Sequence, residues 1–217
     1  MHKAVAASAS GYYGKVPWAG DFVQRRLPQD LVQAWDIYLS NLLPTLPSGN
    51  GVAGAAQPWM FLCAPGVCGE TAFAGVVAAS VDRVGRRFPL LLARTVRSDG
   101  NAGGVLRGGL PWFNAACQLH TDVVSGVVVG MDAFDARVAA LDADPDEGIA
   151  DPAITVPGAV SDRALRSRLD AWACCVAEGG SVWWRGVSGA PCLLPGLPDS
   201  VHCQRAGQAI CTGEVDA

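Results

Sequence analysis

Three apolar runs, at residues 59–63, 73–79 and 88–96, constrain this chain more than any other feature in it. Each is too short for an amphipathic helix, and none alternates cleanly between apolar and polar, which is the pattern of a strand covered on both faces. The gaps between them, 64–72 and 80–87, are too short for a helical crossover. The three runs must therefore pair antiparallel, as a meander.

A sheet buried on both sides needs helices to cover it. Over residues 29–43, Leu31, Trp35, Tyr38, Leu39 and Leu42 fall on one face of a 3.6-residue period. Asp30 suits the positive end of that helix dipole and Pro44 stops it, leaving 44–58 as a loop. Pro111 suits the first turn of a second helix, striped by Trp112, Ala115, Ala116, Leu119 and Val123. Phe134, Val138 and Leu141 stripe a shorter helix with an acidic outer face. Ser161 is a good N-cap for a fourth, striped by Leu165, Leu169, Trp172 and Val176 and ended by Gly179-Gly180. Tyr12-Tyr13, closing on Gly14, and Ser181-Val182-Trp183-Trp184 add one strand each. The pattern predicts an α+β fold of α/β/α-sandwich type: a largely antiparallel central sheet of about five strands flanked by helices. Residues 1–217 read as a single domain, with no internal repeat.

Half of the 217 residues are apolar and 17% are charged, against roughly 25% charged in an average soluble domain, which excludes intrinsic disorder. A chain of this length needs neither disulfide nor metal to staple it. Its 26 glycines and 14 prolines call for many tight connections. No apolar run reaches the roughly 18 residues of a membrane-spanning helix, and residues 1–11 are no secretory signal, so a cytoplasmic protein without membrane insertion is expected. Ten basic and six acidic side chains lie in 1–108, six and fourteen in 109–217, for a net charge of −4. With no basic run longer than Arg86-Arg87, the chain lacks the footprint of a nucleic-acid binder. The acidic stretch 132–151 fits a protein partner and a solvated face equally well.

Eight cysteines, Cys63, Cys68, Cys117, Cys174, Cys175, Cys192, Cys203 and Cys211, include no C-x-x-C pair. Adjacent on a helix, Cys174 and Cys175 point about 100° apart and cannot share one tetrahedral ion. The cysteines read as small, buried apolar side chains, and His2, His120 and His202 are scattered. Gly49-Asn50-Gly51-Val52-Ala53-Gly54 matches G-x-G-x-x-G but follows no strand, and Pro58 blocks a helix after it. Gly11-Tyr12-Tyr13-Gly14-Lys15 has the wrong glycine spacing for a phosphate loop, and Val16 supplies no hydroxyl for magnesium. Gly186-Val187-Ser188-Gly189-Ala190 fails the nucleophile elbow at its last position. No catalytic, cofactor-binding or metal-binding residue is expected.

Two long stretches remain. The first is Gly11-Tyr12-Tyr13-Gly14-Lys15-Val16-Pro17-Trp18-Ala19-Gly20-Asp21-Phe22-Val23-Gln24-Arg25-Arg26-Leu27-Pro28, running on to Trp35-Asp36. The second is Ser80-Val81-Asp82-Arg83-Val84-Gly85-Arg86-Arg87-Phe88-Pro89-Leu90. Together they resemble the TagF (ImpM) family, accessory proteins of the bacterial type VI secretion system. The likeness continues through Trp59, the Pro65-Gly66-Val67-Cys68-Gly69 loop, Gly75, Ser181-Val182-Trp183-Trp184 and Leu197-Pro198. It does not extend to the tail from His202 to Ala217. The resemblance implies post-translational repression of type VI secretion in the cytoplasm, by binding the forkhead-associated scaffold protein and, in some systems, the inner-membrane component TssL. It also implies a functional link to the threonine kinase and phosphatase that act on the scaffold, and no cofactor.

The motif residues that such a role would use are Gly14, Lys15, Pro17, Trp18, Gly20, Asp21, Phe22, Arg25, Ser80, Asp82, Arg83, Gly85 and Arg86. Asp21, Asp82, Arg83 and Arg86 read as an ion-pair cluster. Either it pins the 14–20 loop against the turn between strands, or part of it is exposed toward a partner. Trp18 and Phe22 are candidate apolar anchors, and Trp35 and Trp184 read as core. Two other classes compete: a hydrolase using Ser80, Asp82 and Lys15 or a neighbouring arginine, disfavoured by the lack of a histidine near Ser80, and a structural subunit of the secretion apparatus.

Overall fold

A computed structural model describes residues 9–42, 57–96, 102–142, 162–186 and 189–199, with backbone alone at 102–110, 162–165, 169 and 176. The chain runs β1 (Gly11–Gly14), β2 (Val23–Arg25), α1 (Gln29–Leu42), β3 (Trp59–Cys63), β4 (Ala72–Ala78), β5 (Leu90–Val96), α2 (Ala102–Val124), α3 (Met131–Ala140), α4 (Asp162–Glu178), β6 (Ser181–Arg185) and β7 (Cys192–Leu194). The strands form one antiparallel sheet in the order β2-β1-β5-β4-β3-β6-β7.

The expected meander is β3-β4-β5, and successive side chains divide between two cores as a period of two requires. Met60, Leu62, Ala74, Val76, Leu92 and Trp184 face α2, α3 and α4. Phe61, Phe73, Val77, Leu91 and Trp183 face α1, whose Leu31, Val32, Trp35, Leu39 and Leu42 are buried. The strands look continuously apolar because both layers are covered. Trp35, Phe61 and Trp183 pack ring against ring at 5.2 and 4.8 Å.

Among the described residues the sheet has seven strands where about five were expected. The two extra ones, β2 and β7, are three-residue edges with one buried residue each, Val23 and Leu194, too short to show a period. Pro111 lies inside α2 rather than in its first turn. Proline removes one intrahelical hydrogen bond there, and the helix continues on both sides of the gap. Its buried face is Trp112, Phe113, Ala116, Leu119, His120 and Val123, while Ala115, on the flank of that stripe, is exposed. On α4, Trp172 is buried as expected, with Arg168, Ala171 and Cys175. Gly179, at φ 73°, ends that helix. Ser161, the side chains of Leu165, Leu169 and Val176, and the Gly49–Gly54 match lie outside the described residues.

Candidate functional site

Strand register brings the two motif segments together. Gly14 pairs with Leu90 in β5 and Val23 in β2, and Ala78 pairs with the same Leu90. The 15–22 loop and the 79–89 turn therefore leave the sheet at one end. Gly14 is required there: its φ is 137°, and a Cβ would sit 2.1 Å from the Pro89 carbonyl oxygen. Beyond it, the Ala19 amide donates to the Val16 carbonyl at 3.2 Å, with Pro17 at the turn position its fixed φ suits.

Asp82 ties the two segments. Its Oδ1 accepts from the amides of Val84 at 3.0 Å and Arg86 at 2.9 Å, closing the turn on itself. Gly85, at φ 85°, supplies the left-handed residue that lets the turn close. The other oxygen, Oδ2, takes Lys15 Nζ at 2.9 Å and Arg86 Nε at 2.7 Å. Arg86 also donates to the Gly20 carbonyl, and the Arg83 amide donates to the Ala19 carbonyl at 2.9 Å. The Asp82 and Lys15 side chains are buried, at 0% and 8% exposure, whereas Arg86 is 59% exposed. Burial alone would push the Asp82 carboxyl up. Donation from Lys15 and from the Arg86 and Val84 groups outweighs it and holds the acid well below the usual carboxylate range.

The expected cluster of Asp21, Asp82, Arg83 and Arg86 is thus corrected. Lys15, not Asp21, is the buried partner, and Arg83 joins through its backbone. Asp21 is exposed and forms no ion pair among the described residues. It follows Gly20, whose carbonyl is already turned inward to Arg86, so its own side chain points out.

An aromatic group flanks this hub. Phe22 stacks on Tyr13 at 5.7 Å, meets Phe88 edge-on at 4.6 Å, and carries Lys15 Nζ 5.2 Å from its centroid. It remains 48% exposed. Tyr13 donates to Asp36, and its hydroxyl is pushed up by burial first and by that carboxylate second. Trp18 packs edge-on to Phe134 against the opposite core, so it is less free than Phe22. Trp35 and Trp184 are fully buried, as expected. Arg25 belongs to a different contact: it and Arg26 hold Asp135 at 2.5 and 2.7 Å, docking β2 on α3.

Ser80 is buried, and its hydroxyl has no hydrogen-bond partner among the described residues. His120 is also buried; one ring nitrogen lies 3.3 Å from the Ala78 carbonyl oxygen, and burial pushes its pKa down to about 4. Among the described cysteines, Cys63, Cys68 and Cys175 are buried, but Cys174 and Cys192 are exposed, against expectation. Cys174 is on the outer side of α4, and Cys192 is on an edge strand. Among the described residues no group of three or more His, Cys, Asp or Glu could hold a metal, and no helix is long and apolar enough to cross a membrane.

Sequence reasoning missed Ser10. Its hydroxyl accepts from Trp112 Nε1 at 2.8 Å and donates to Asp142 at 2.5 Å, and its carbonyl accepts from Arg26 Nε at 2.7 Å. These partners lie 16 to 132 residues away, and no local pattern announces them.

A family model described as the TagF N-terminal domain, type VI secretion system-associated, matches residues 11–141, which include both motif segments. Among solved structures, the chain is similar to a crystal structure of PA0076 from Pseudomonas aeruginosa PAO1, with 30% identity, 96% of each chain covered and a TM-score of 0.67. No curated protein matches.

Proposed function

The chain belongs to the TagF N-terminal family of type VI secretion-associated proteins, and from that membership we propose that it is a non-catalytic accessory protein that represses secretion after translation. In this reading it works in the cytoplasm by binding the forkhead-associated scaffold of the system, with TssL a second partner, beside the kinase and phosphatase that act on the scaffold. The observation that carries the reading is the Lys15–Asp82–Arg86 hub. It uses one charged side chain of the first motif and two of the second to fix two loops as one surface, with Phe22 half-exposed beside it. A site built to turn over a substrate would hold such groups open to it.

The hydrolase alternative finds little support. Asp82 and Lys15 are spent on each other, and among the described residues no base is bonded to the buried Ser80 hydroxyl. Deleting the gene and measuring secreted tube protein tests the proposal. Secretion should rise and return to its former level when the wild-type chain is restored. Unchanged secretion, or secretion lost on deletion, overturns it.

A further inference from the structure

Phe22, Val84, Val127 and Val129, four of the six large apolar side chains exposed among the described residues, sit at one end of the sheet. The first two ride on the loops that Asp82 joins. The other two flank the buried Val128 in the connection from α2 to α3. That connection is at the same end, because His120 near the end of α2 touches the last residue of β4. The chain of contact is continuous: the Arg83 amide bonds Ala19, its neighbour Trp18 meets Phe134, and the Phe134 amide bonds Gly130. Val127 and Val129, two residues apart on either side of the buried Val128, are 71% and 63% exposed.

Two of these three loops carry charge opposite to that of the chain: 15–22 and 79–89 hold Lys15, Arg83, Arg86 and Arg87 against Asp21 and Asp82, a net +2 in a protein of net −4, while 125–131 carries none and is followed by the exposed Asp132. Arg83 and Arg87 are exposed. Apolar centre and basic rim together favour one kind of occupant. We infer that this end of the molecule docks an acidic protein segment bearing apolar side chains, with Val84, Val127 and Val129 supplying buried contact and Arg83 the charge. The inference rests on the scaffold-binding reading and extends its surface to the α2–α3 connection, which neither long motif includes.

The test uses the full chain and purified scaffold in titration calorimetry, with a secretion assay in the deletion strain as a second readout. Val84→Asp and the double variant Val127→Asp, Val129→Asp should each weaken scaffold binding about tenfold or more. Arg83→Glu should weaken it and flatten its dependence on salt. Ile37→Asp and Leu193→Asp, exposed apolar positions elsewhere, should bind as wild type. All five should melt within about 2 °C of wild type, since each side chain is exposed. Wild-type affinity in the tip variants overturns the docking surface and leaves the scaffold reading standing. Undiminished affinity in Arg83→Glu overturns the acidic partner. Absence of any scaffold binding overturns the partner named above, and the tip is then judged by secretion alone: variants that still repress fully overturn it. A dimer of this chain that dissociates with Val127→Asp also overturns it, because the end would face a second copy.

Discussion

Asp82→Asn removes one charge from the centre of the hub and leaves its shape intact. The wild-type carboxylate accepts four donors, from Lys15, Arg86 Nε and the amides of Val84 and Arg86. An asparagine oxygen can keep the two amides at the Oδ1 position, but its NH₂ would then face Lys15 and Arg86, donor against donor. Arg86 is 59% exposed and recovers water, whereas Lys15 is 8% exposed and is left buried without a counter-charge. Breaking one side of a buried pair is far more costly than breaking a surface pair. For a chain of this size, the fall in melting temperature should be roughly 10 °C. Lys15→Met leaves Asp82 with three of its donors, so it should cost roughly half as much, and the double variant should cost less than the two singles combined. The carboxyl is held below its ordinary pKa, so its contribution is complete above about pH 4, the unfolded value, and fades as pH falls further. The gap between wild type and Asp82→Asn should therefore be constant from pH 5 to 7 and narrow in acid. Circular dichroism melts across that range measure it. A loss below about 2 °C at pH 7 would mean the hub is screened by solvent, and the reasoning fails.

His120 titrates in the same sense for another reason. Its folded pKa of about 4 lies below the unfolded value near 6.5, so the unfolded chain binds the extra proton. Stability should fall by up to about 3 kcal/mol as pH drops from 6.5 to 4; in His120→Gln, denaturant titrations should show a flatter profile. Gly75 pairs with Phe61 in β3, and a Cβ there would lie 2.2 Å from the ring, so Gly75→Ala should cost about 1–3 kcal/mol by overpacking. Pairing it with Phe61→Leu should recover part of that loss. Ser80→Ala removes a buried hydroxyl that has no partner among the described residues, so it should leave the melting temperature unchanged or raised. The same variant should leave repression intact; a loss of repression in the folded protein would revive the hydrolase reading.

The centre of the fold was legible because burial on both faces leaves a continuous apolar run. The lengths 59–63, 73–79 and 88–96, with short gaps, admitted only a meander. The edges were not legible, because three residues with one buried side chain carry no period, as β2 and β7 show. Pro111 misled for a physical reason: the same residue that favours a first turn is tolerated inside a helix that packing holds on both sides. At the candidate site, the motifs pointed to two loops that pack together and named Asp82 beside Asp21 as an acid of the cluster. They did not identify its buried partner, because whether Asp21 or Lys15 turns inward depends on the path of the loop past Gly14. The exposed valines of the α2–α3 connection carry no signal in sequence, since apolar residues after a helix read as core.

Hydrogen–deuterium exchange of the full chain, free and saturated with the forkhead-associated scaffold, probes the proposed binding face without altering any residue. Slower exchange should appear in 15–22 and 80–88 and spread to 125–131, while the α1 face and the β7 edge stay as they are in the free protein. Protection confined to α1 or β7, with those three loops unchanged in a saturated complex, would contradict the account.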